Sequence, residues 1–181
     1  METKPAEASK ISINLSTAEE IKQEGNTLYS QGQDQEAIKK YAKILLYVNG
    51  LVSKDEAMAH YSKNLVNDQE KDQIDELKHS AYINMAAAYL RLKNYQKVIE
   101  KSKLALEIRE NPKAYYRRAL ACIELGDIDL AHADLYKFKQ LSPNDSVIPN
   151  LEAKLISKSA EISTIEKQRF RGFFDKLNLN D

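Results

Sequence analysis

The feature that most constrains this chain is a segment that occurs in three copies. The copies begin near Asp34, Asn94 and Asp127, and each continues as an apolar stripe at helical spacing. The matching residues Val98 and Ala131 lie 33 positions apart, which is close to the length of two antiparallel helices with their turns. We therefore expect a repeated helix-turn-helix unit, in which each copy supplies the second helix of a pair.

A partner helix is predicted in front of each copy. The first is expected at about 17–31, opened by a capping box at Ser16 and Glu19, and the others at about 75–92 and 112–124. Only five Gly and four Pro occur in 181 residues, and no stretch alternates as a strand would. The composition and the periodicity together predict an all-α chain.

Turn residues mark the third helix pair most clearly. Pro112 suits the first turn of a helix, and Gly126 suits the left-handed position that ends one. Asp127 follows as a candidate N-cap for the next helix. Cys122 lies between them in an apolar helical pattern, so we expect it to be a buried small hydrophobe.

The first two copies are separated by more than one repeat length. Ala37 and Val98 lie 61 positions apart, which leaves roughly 27 residues inserted. We expect this polar region, about 49–78, to lengthen the helices on either side of it, with a mobile connection around 67–72. A capping-box match and a helix-like apolar spacing fall inside it, at Ser53, Glu56, Met58, Tyr61 and Leu65.

One more helix is predicted after the repeats, from Ser146 to about Leu177. About 30 helical residues would extend ~45 Å, and the first half is expected to cover the apolar edge that ends a solenoid. The second half, 167–177, is basic and aromatic. It suits a calmodulin-type target or docking helix, and it equally suits self-association or packing on a neighbouring domain. The expected organisation is a flexible 1–16, a three-repeat domain over 17–145, a capping helix over 146–177 and a tail over 178–181.

Charge and composition exclude several classes of function. The chain has 27 Lys+Arg and 27 Asp+Glu, so no global field favours nucleic acid or an anionic membrane. No apolar run approaches the ~20 residues that span a bilayer, and no signal-peptide pattern is seen at the N-terminus. No metal-ligand spacing, Gly-rich phosphate loop or nucleophile motif occurs. We expect a cytoplasmic protein without cofactor or catalytic activity.

Polar residues on the first helices of the three pairs predict a binding site. Lys22 and Asn26 are four residues apart, as are Lys113 and Arg117, so each pair shares one helix face. Asn84 comes from the second pair, and Asn is an unfavourable residue inside a helix unless it has a role. Two further residues share these faces and complete the candidate site, Tyr29 and Arg91.

The five residues Lys22, Asn26, Asn84, Lys113 and Arg117 suit a ligand that carries carboxylates. Lys offers a mobile charge, Arg a planar fork and Asn two amide donors. Because desolvating a carboxylate without partners costs several kcal/mol, a ligand with two adjacent carboxylates needs several such donors. The bland alternative for each residue alone is a solvated helix face.

The repeat pattern resembles the tetratricopeptide repeat (TPR), with copies at about 18–51, 78–111 and 112–145. The usual Trp and several aromatic positions are replaced, and Val98 stands where Ala is typical. The resemblance implies three helix-turn-helix repeats in a right-handed superhelix, followed by a long C-terminal capping helix. The five polar groups occur where dicarboxylate-clamp TPR domains have theirs. Those domains bind the C-terminal Glu-Glu-Val-Asp sequence of heat shock protein 90 and heat shock protein 70.

The resemblance is strongest to the C-terminal TPR domain of large FK506-binding (FKBP-type) immunophilins. The matching segments are Glu24-Gly25-Asn26, Tyr82-Ile83-Asn84-Met85-Ala86, Lys113-Ala114-Tyr115-Tyr116-Arg117-Arg118-Ala119 and Phe173-Phe174-Asp175-Lys176-Leu177. The all-β prolyl-isomerase domain of that family has no counterpart here. The resemblance implies a co-chaperone adaptor, or the non-catalytic part of a prolyl isomerase. A scaffold that binds another partner through its groove or its last helix is the alternative.

Overall fold

The computed structural model of the chain describes residues 10–49, 51 and 66–177, and these residues form α-helices without a strand. Gly32 and Gly126 close turns in the left-handed conformation, with φ of 79° and 82°. The chain divides into two compact units, Met1–Glu110 and Asn111–Asp181. The helices are α1 Lys10–Ser30, α2 Asp34–Asn49, α3 Asp68–Arg91, α4 Tyr95–Ile108, α5 Pro112–Leu125, α6 Ile128–Leu141 and α7 Ile148–Leu177.

The first unit contains two consecutive helix pairs. Helix α1 packs on α2, α3 packs on α4, and α2 and α1 both contact α3. Tyr41 and Ile44 of α2 and Ile74 of α3 are almost wholly buried in its core. The all-α fold and its helix pairs therefore follow the predicted pattern.

Helix α1 begins earlier than the sequence pattern indicated. It starts at Lys10 instead of about residue 17, and Leu15 is buried in the core of the first unit. Burial of this side chain stabilises the additional N-terminal turns of α1, because packing of an apolar face contributes more to helix stability than local sequence signals do. The expected capping box at Ser16 is wrong, as is a flexible segment for the part of 1–16 that the structure describes.

Helix α3 also begins earlier than expected, and its start has a clear local cause. The Asn67 side chain accepts a hydrogen bond from the Glu70 backbone N–H at 2.9 Å, and the Glu70 carboxylate accepts one from the Asn67 backbone N–H at 2.9 Å. This capping box satisfies two helix-end donors, so the mobile connection expected around 67–72 is wrong. The expected lengthening is confirmed for α3, which has 24 residues, whereas α2 has 16. The helix signals at Ser53, Glu56, Met58, Tyr61 and Leu65 lie outside the described residues.

The second unit begins at the α5 N-terminus and shows the predicted caps. Asn111 is the N-cap, Pro112 occupies the first helical turn, and Gly126 is the C-cap of α5. The Asp127 side chain then accepts from the Leu130 backbone N–H at 3.2 Å at the start of α6. Cys122 is buried, as expected, and burial raises the pKa of its thiol to about 12.

Helix α7 has 30 residues and two different halves. It packs on α6 and α5, and Leu151 and Leu155 of its first half are each 1% exposed. Within the second half, Phe170 and Phe173 remain exposed. The predicted covering role therefore belongs to the first half.

Candidate functional site

Two asparagines from different helices meet in the first unit. Nδ2 of Asn84, on α3, donates a hydrogen bond to Oδ1 of Asn26, on α1, at 3.1 Å. The hydroxyl of Tyr41, on α2, donates to the same oxygen at 3.0 Å. A single amide oxygen thus joins three helices, and two of the predicted site residues are in direct contact.

A glycine makes the contact between Tyr41 and Asn26 possible. Gly25 is buried on α1, and a Cβ at this position would lie 2.7 Å from Cε1 of Tyr41 and 3.0 Å from its Cδ1. Those distances are closer than a side chain can approach an aromatic ring, so the ring can pack here only against a glycine. The Glu-Gly-Asn sequence of α1 therefore places the Tyr41 hydroxyl beside the Asn26 amide.

Lys22 lies one turn before Asn26 and has a partner on its own helix. Its ammonium is 2.6 Å from Oε2 of Glu19, and its side chain is only 19% exposed. Gln23 donates to the other oxygen of Glu19 at 2.9 Å. Burial raises the pKa of Glu19, but the bonds from Lys22 and Gln23 outweigh that effect and lower the pKa overall. Glu19 is therefore an anionic partner for the predicted ligand-binding ammonium.

Tyr29 and Arg91 are brought together by contacts within the protein. The Arg91 guanidinium lies 4.3 Å from the centre of the Tyr29 ring and donates through Nη1 to the Tyr29 carbonyl oxygen at 2.8 Å. Its Nε is also 3.2 Å from Oδ2 of Asp34, a mostly buried carboxylate. These contacts join the end of α3 to the turn between α1 and α2. They give Arg91 a structural role, and a ligand-binding role for it stays a prediction.

Lys113 and Arg117 lie one turn apart on α5, in the second unit. The Lys113 backbone N–H donates to Oδ1 of Asn111 at 2.9 Å, so this lysine stands in the first turn of a capped helix. Its side chain is exposed, and Arg117 is half-buried.

The next residue in the sequence, Arg118, forms an ion pair inside the second unit. Arg118 binds Asp134 of α6 with two parallel hydrogen bonds, Nε to Oδ2 at 2.8 Å and Nη2 to Oδ1 at 2.6 Å. Asp134 is 2% exposed, so this bidentate pair fixes α5 against α6 inside the second unit. Arg118 of the Lys-Ala-Tyr-Tyr-Arg-Arg segment therefore has a structural partner.

Sequence reasoning missed Tyr41 and Glu19 as members of the site. The Glu19 link could have been found, because a carboxylate three residues before a lysine faces it on a helix. Glu19 also borders an acidic cleft of about 1070 Å³ in the first unit. Four further carboxylates line that cleft, from Glu70, Asp72, Asp75 and Glu76.

Metal clusters and membrane-spanning helices were sought in the part of the chain that the structure describes. No cluster of three or more His, Cys, Asp or Glu side chains could hold a metal ion there. Nor is any helix in that part long and apolar enough to cross a membrane.

Comparison with known proteins identifies the class of protein to which this fold corresponds. No protein-family model matches the sequence. The structure is similar to the C-terminal TPR-containing domain of the Plasmodium falciparum FK506-binding protein PFL2275c, with a TM-score of 0.71 and 27% identity over 87% of this chain and 97% of that one. The fold is thus the all-α fold of TPR domains.

One further solved structure and one further protein sequence are similar to this chain. The solved structure of the Hsp90 co-chaperone Cns1 from Saccharomyces cerevisiae matches with a TM-score of 0.66 and 26% identity, over 96% of this chain and 48% of that one. The Arabidopsis thaliana peptidyl-prolyl cis-trans isomerase FKBP42 is 27% identical over 161 residues, which are 88% of this chain and 41% of that protein. The chain therefore spans about two fifths of that curated relative and resembles TPR domains of FKBP-type immunophilins and Hsp90 co-chaperones.

Proposed function

We propose that the chain is a co-chaperone adaptor that binds the acidic C-terminal Glu-Glu-Val-Asp peptide of heat shock protein 90, or of heat shock protein 70. The observation that carries this proposal is the contact between Asn26 and Asn84. It sets two amide groups side by side, one turn beyond the Lys22 ammonium. The cytoplasmic location expected from the sequence is part of the same proposal.

The chemistry of the proposed ligand matches these donors. A chain-terminal Asp carries two carboxylates a few bonds apart, and each accepts hydrogen bonds from cations and amides. In the proposal, Lys22, Asn26 and Asn84 of the first unit bind carboxylates of this peptide, and the sequence resemblance assigns the same role to Lys113 and Arg117. The sequence resemblance to dicarboxylate-clamp TPR domains supports this assignment of all five groups.

The similar proteins support a chaperone-linked role without naming this chain's partner. Cns1 is described as an Hsp90 co-chaperone, and PFL2275c and FKBP42 are FK506-binding or isomerase proteins. The FKBP-type likeness also favours the alternative that this chain is the non-catalytic, TPR-containing part of a prolyl isomerase. We propose that the chain as given has no isomerase activity of its own, and a standard prolyl-isomerase assay tests this.

Calorimetric titration with a Glu-Glu-Val-Asp peptide tests the binding proposal. We expect roughly micromolar affinity, about −8 kcal/mol, and weaker binding at higher salt. Lys113→Ala and Arg117→Ala should each cost about 1.5–3 kcal/mol, since each removes a charged hydrogen bond. Lys103→Ala, an exposed lysine on α4, is the matched control and should bind normally.

The terminal carboxylate supplies the decisive comparison. Amidating the C-terminus of the peptide removes one anion and should abolish most of the binding. Equal affinities for the free-acid and amidated peptides would contradict the proposal. Running the same titration with the heat shock protein 70 tail determines which chaperone is preferred.

The exposed aromatic half of α7 favours a second candidate, a scaffold that docks through this helix. Phe170 and Phe173 are 66% and 58% exposed, and Arg169 and Arg171 lie beside them in the sequence. Binding of calmodulin or self-association through α7 would use this surface, although the similar proteins do not point to either. Truncation after Ser163 should abolish such an interaction in sedimentation or calmodulin-binding assays and leave peptide binding intact.

A further inference from the structure

We propose that Tyr41 is a positioning residue that makes the site selective for a free carboxylate over a carboxamide. It would act through Asn26, by fixing which atoms of the Asn26 amide face a ligand. This inference rests on the proposed function, because Asn26 is one of the proposed ligand-binding groups. It concerns how the site distinguishes ligands that differ only at the chain end.

The hydroxyl of Tyr41 is held in one place by its surroundings. Tyr41 is 1% exposed, and its ring lies against the backbone of α1 at Gly25. The hydroxyl donates to Oδ1 of Asn26 at 3.0 Å. A buried ring in a tight contact has little freedom to rotate away, so this hydrogen bond is a fixed feature of the interface between α1 and α2.

The acceptor capacity of the Asn26 oxygen is filled by this bond and one other. An amide oxygen has two lone pairs, and here Tyr41 supplies one donor and Nδ2 of Asn84 supplies the second, at 3.1 Å. Nδ2 of Asn26 has no hydrogen-bond partner within the described part of the chain. Asn26 therefore has two N–H groups to offer a ligand and no vacant lone pair.

This arrangement discriminates between two ligand groups of nearly equal size. A carboxylate only accepts hydrogen bonds, whereas a carboxamide also brings two N–H donors that need acceptors. A site with donors alone leaves those N–H groups unpaired, and an unpaired polar group in a desolvated contact costs free energy. The free acid is thus favoured by the hydrogen-bond pattern as well as by its charge.

Removing the Tyr41 hydroxyl should relax this selectivity. In Tyr41→Phe the ring still fills its place beside Gly25, but the Asn26 oxygen loses one of its two donors. The Asn26 amide can then turn over about its last torsion, which is broad and roughly two-fold. In the turned state its oxygen can accept from a carboxamide, and its N–H groups no longer face a carboxylate.

The test compares two peptides and three proteins by calorimetric titration. The peptides end in Glu-Glu-Val-Asp with a free or an amidated C-terminus, and the proteins are wild type, Tyr41→Phe and Tyr47→Phe. Tyr47 lies on the same helix and makes no hydrogen bond through its side chain within the described residues, so it is the matched control. We expect Tyr41→Phe to lower the amide-to-acid ratio of dissociation constants about threefold to tenfold, with Tyr47→Phe unchanged.

Urea unfolding of all three proteins separates positioning from stability. A loss of stability alone would weaken both peptides equally and leave the ratio of dissociation constants unchanged. An unchanged ratio in Tyr41→Phe, with wild type binding the free acid, would overturn the inference and leave the proposed function standing.

A second measurement does not depend on any peptide. In a nitrogen-15 NMR spectrum of the free protein, the Asn26 side-chain NH₂ signals can be assigned by their loss in Asn26→Ser. We expect them to shift in Tyr41→Phe and to stay in place in Tyr47→Phe. Unshifted signals would overturn the positioning role, whereas a wild-type protein that binds neither peptide would overturn the proposed function.

Discussion

At the scale of single residues, the candidate site depends on which atoms already have partners. The Asn26 oxygen is occupied by Tyr41 and Asn84, and the Lys22 ammonium is paired with Glu19. The pairing of Lys22 with Glu19 follows from helical spacing, whereas the pairing of Asn26 with Tyr41 and Asn84 depends on how the helices pack. Together they determine what a ligand can still bind.

The pairing of Lys22 predicts a gain of affinity from a simple substitution. A ligand carboxylate must compete with Glu19 for Lys22, so Glu19→Gln should tighten binding of the free-acid peptide about twofold to fivefold, the range of a partly exposed ion pair. Calorimetric titration measures the change. Glu36→Gln on α2 removes a similar i,i+3 pair with Lys39 and should have no effect. Weaker binding by Glu19→Gln would mean that Glu19 holds Lys22 in place for the ligand.

How far these residues could be predicted depends on the distance in sequence between partners. The Lys22–Asn26 and Lys113–Arg117 faces follow from helical spacing alone, and so do the caps at Pro112, Gly126 and Asp127. Tyr41 meets Asn26 across a helix interface, and Arg91 meets Tyr29 across 62 positions. Such contacts require the packing of helices, which no local pattern contains.

At the scale of helices, the contact between α1 and α2 is the element on which the site depends. The two helices approach each other closely where Gly25 meets the Tyr41 ring. An additional ion pair between Glu24 and Lys40 joins the same helices at the surface. The hydrogen bond between Tyr41 and Asn26 therefore depends on how tightly these two helices pack.

A single added methyl group should separate the two helices. In Gly25→Ala the new Cβ would lie 2.7 Å from the Tyr41 ring, and the ring is too buried to move aside freely. We expect the free energy of unfolding to fall by about 1–3 kcal/mol, the usual cost of overpacking, even though Ala favours helix more than Gly. Urea unfolding measures this, with Glu20→Ala on the exposed face of α1 as control. A more stable Gly25→Ala protein would contradict the tight contact.

The helix boundaries show a second limit of sequence patterns. The early start of α3 was missed although Asn67 and Glu70 form an Asn-x-x-Glu capping signal, because the polar residues around them also suit a loop. The early start of α1 depends on burial of Leu15 in the core, which becomes visible only once the helices are packed. Local signals thus predicted which helices exist better than where they begin.

At the scale of the whole molecule, charge and burial affect function and stability separately. Positive and negative residues balance across the chain, so a ligand would be attracted by local donors instead of a general field. One buried ionisable group is expected to affect the stability of the fold and not ligand binding, since it is not among the proposed ligand-binding residues. This group is His79.

His79 should make the chain less stable in mild acid. It is 2% exposed, Nδ1 lies 3.3 Å from Nη2 of Arg109, and burial and the Arg109 charge lower its pKa. Below about pH 6.5 the unfolded chain binds a proton that the folded chain resists, so the stability falls as the pH falls. Above that pH both states are neutral and the effect disappears.

Urea unfolding between pH 7.5 and 5.5 measures this dependence. His79→Gln should show a smaller loss of stability over that range than wild type. His132→Gln, at an exposed position on α6, is the control and should behave as wild type does. An equal pH dependence in wild type and His79→Gln would contradict the assignment.

The bond between Lys22 and Glu19 has a further consequence for a protein among many small anions. Glu19 acts as an internal counter-ion, so an acetate, a chloride or a free amino acid gains little by replacing it at one lysine. A ligand that presents two carboxylates to several donors at once can gain from more than one contact while it displaces Glu19 only once. The pair would therefore disfavour small anions that carry a single negative group.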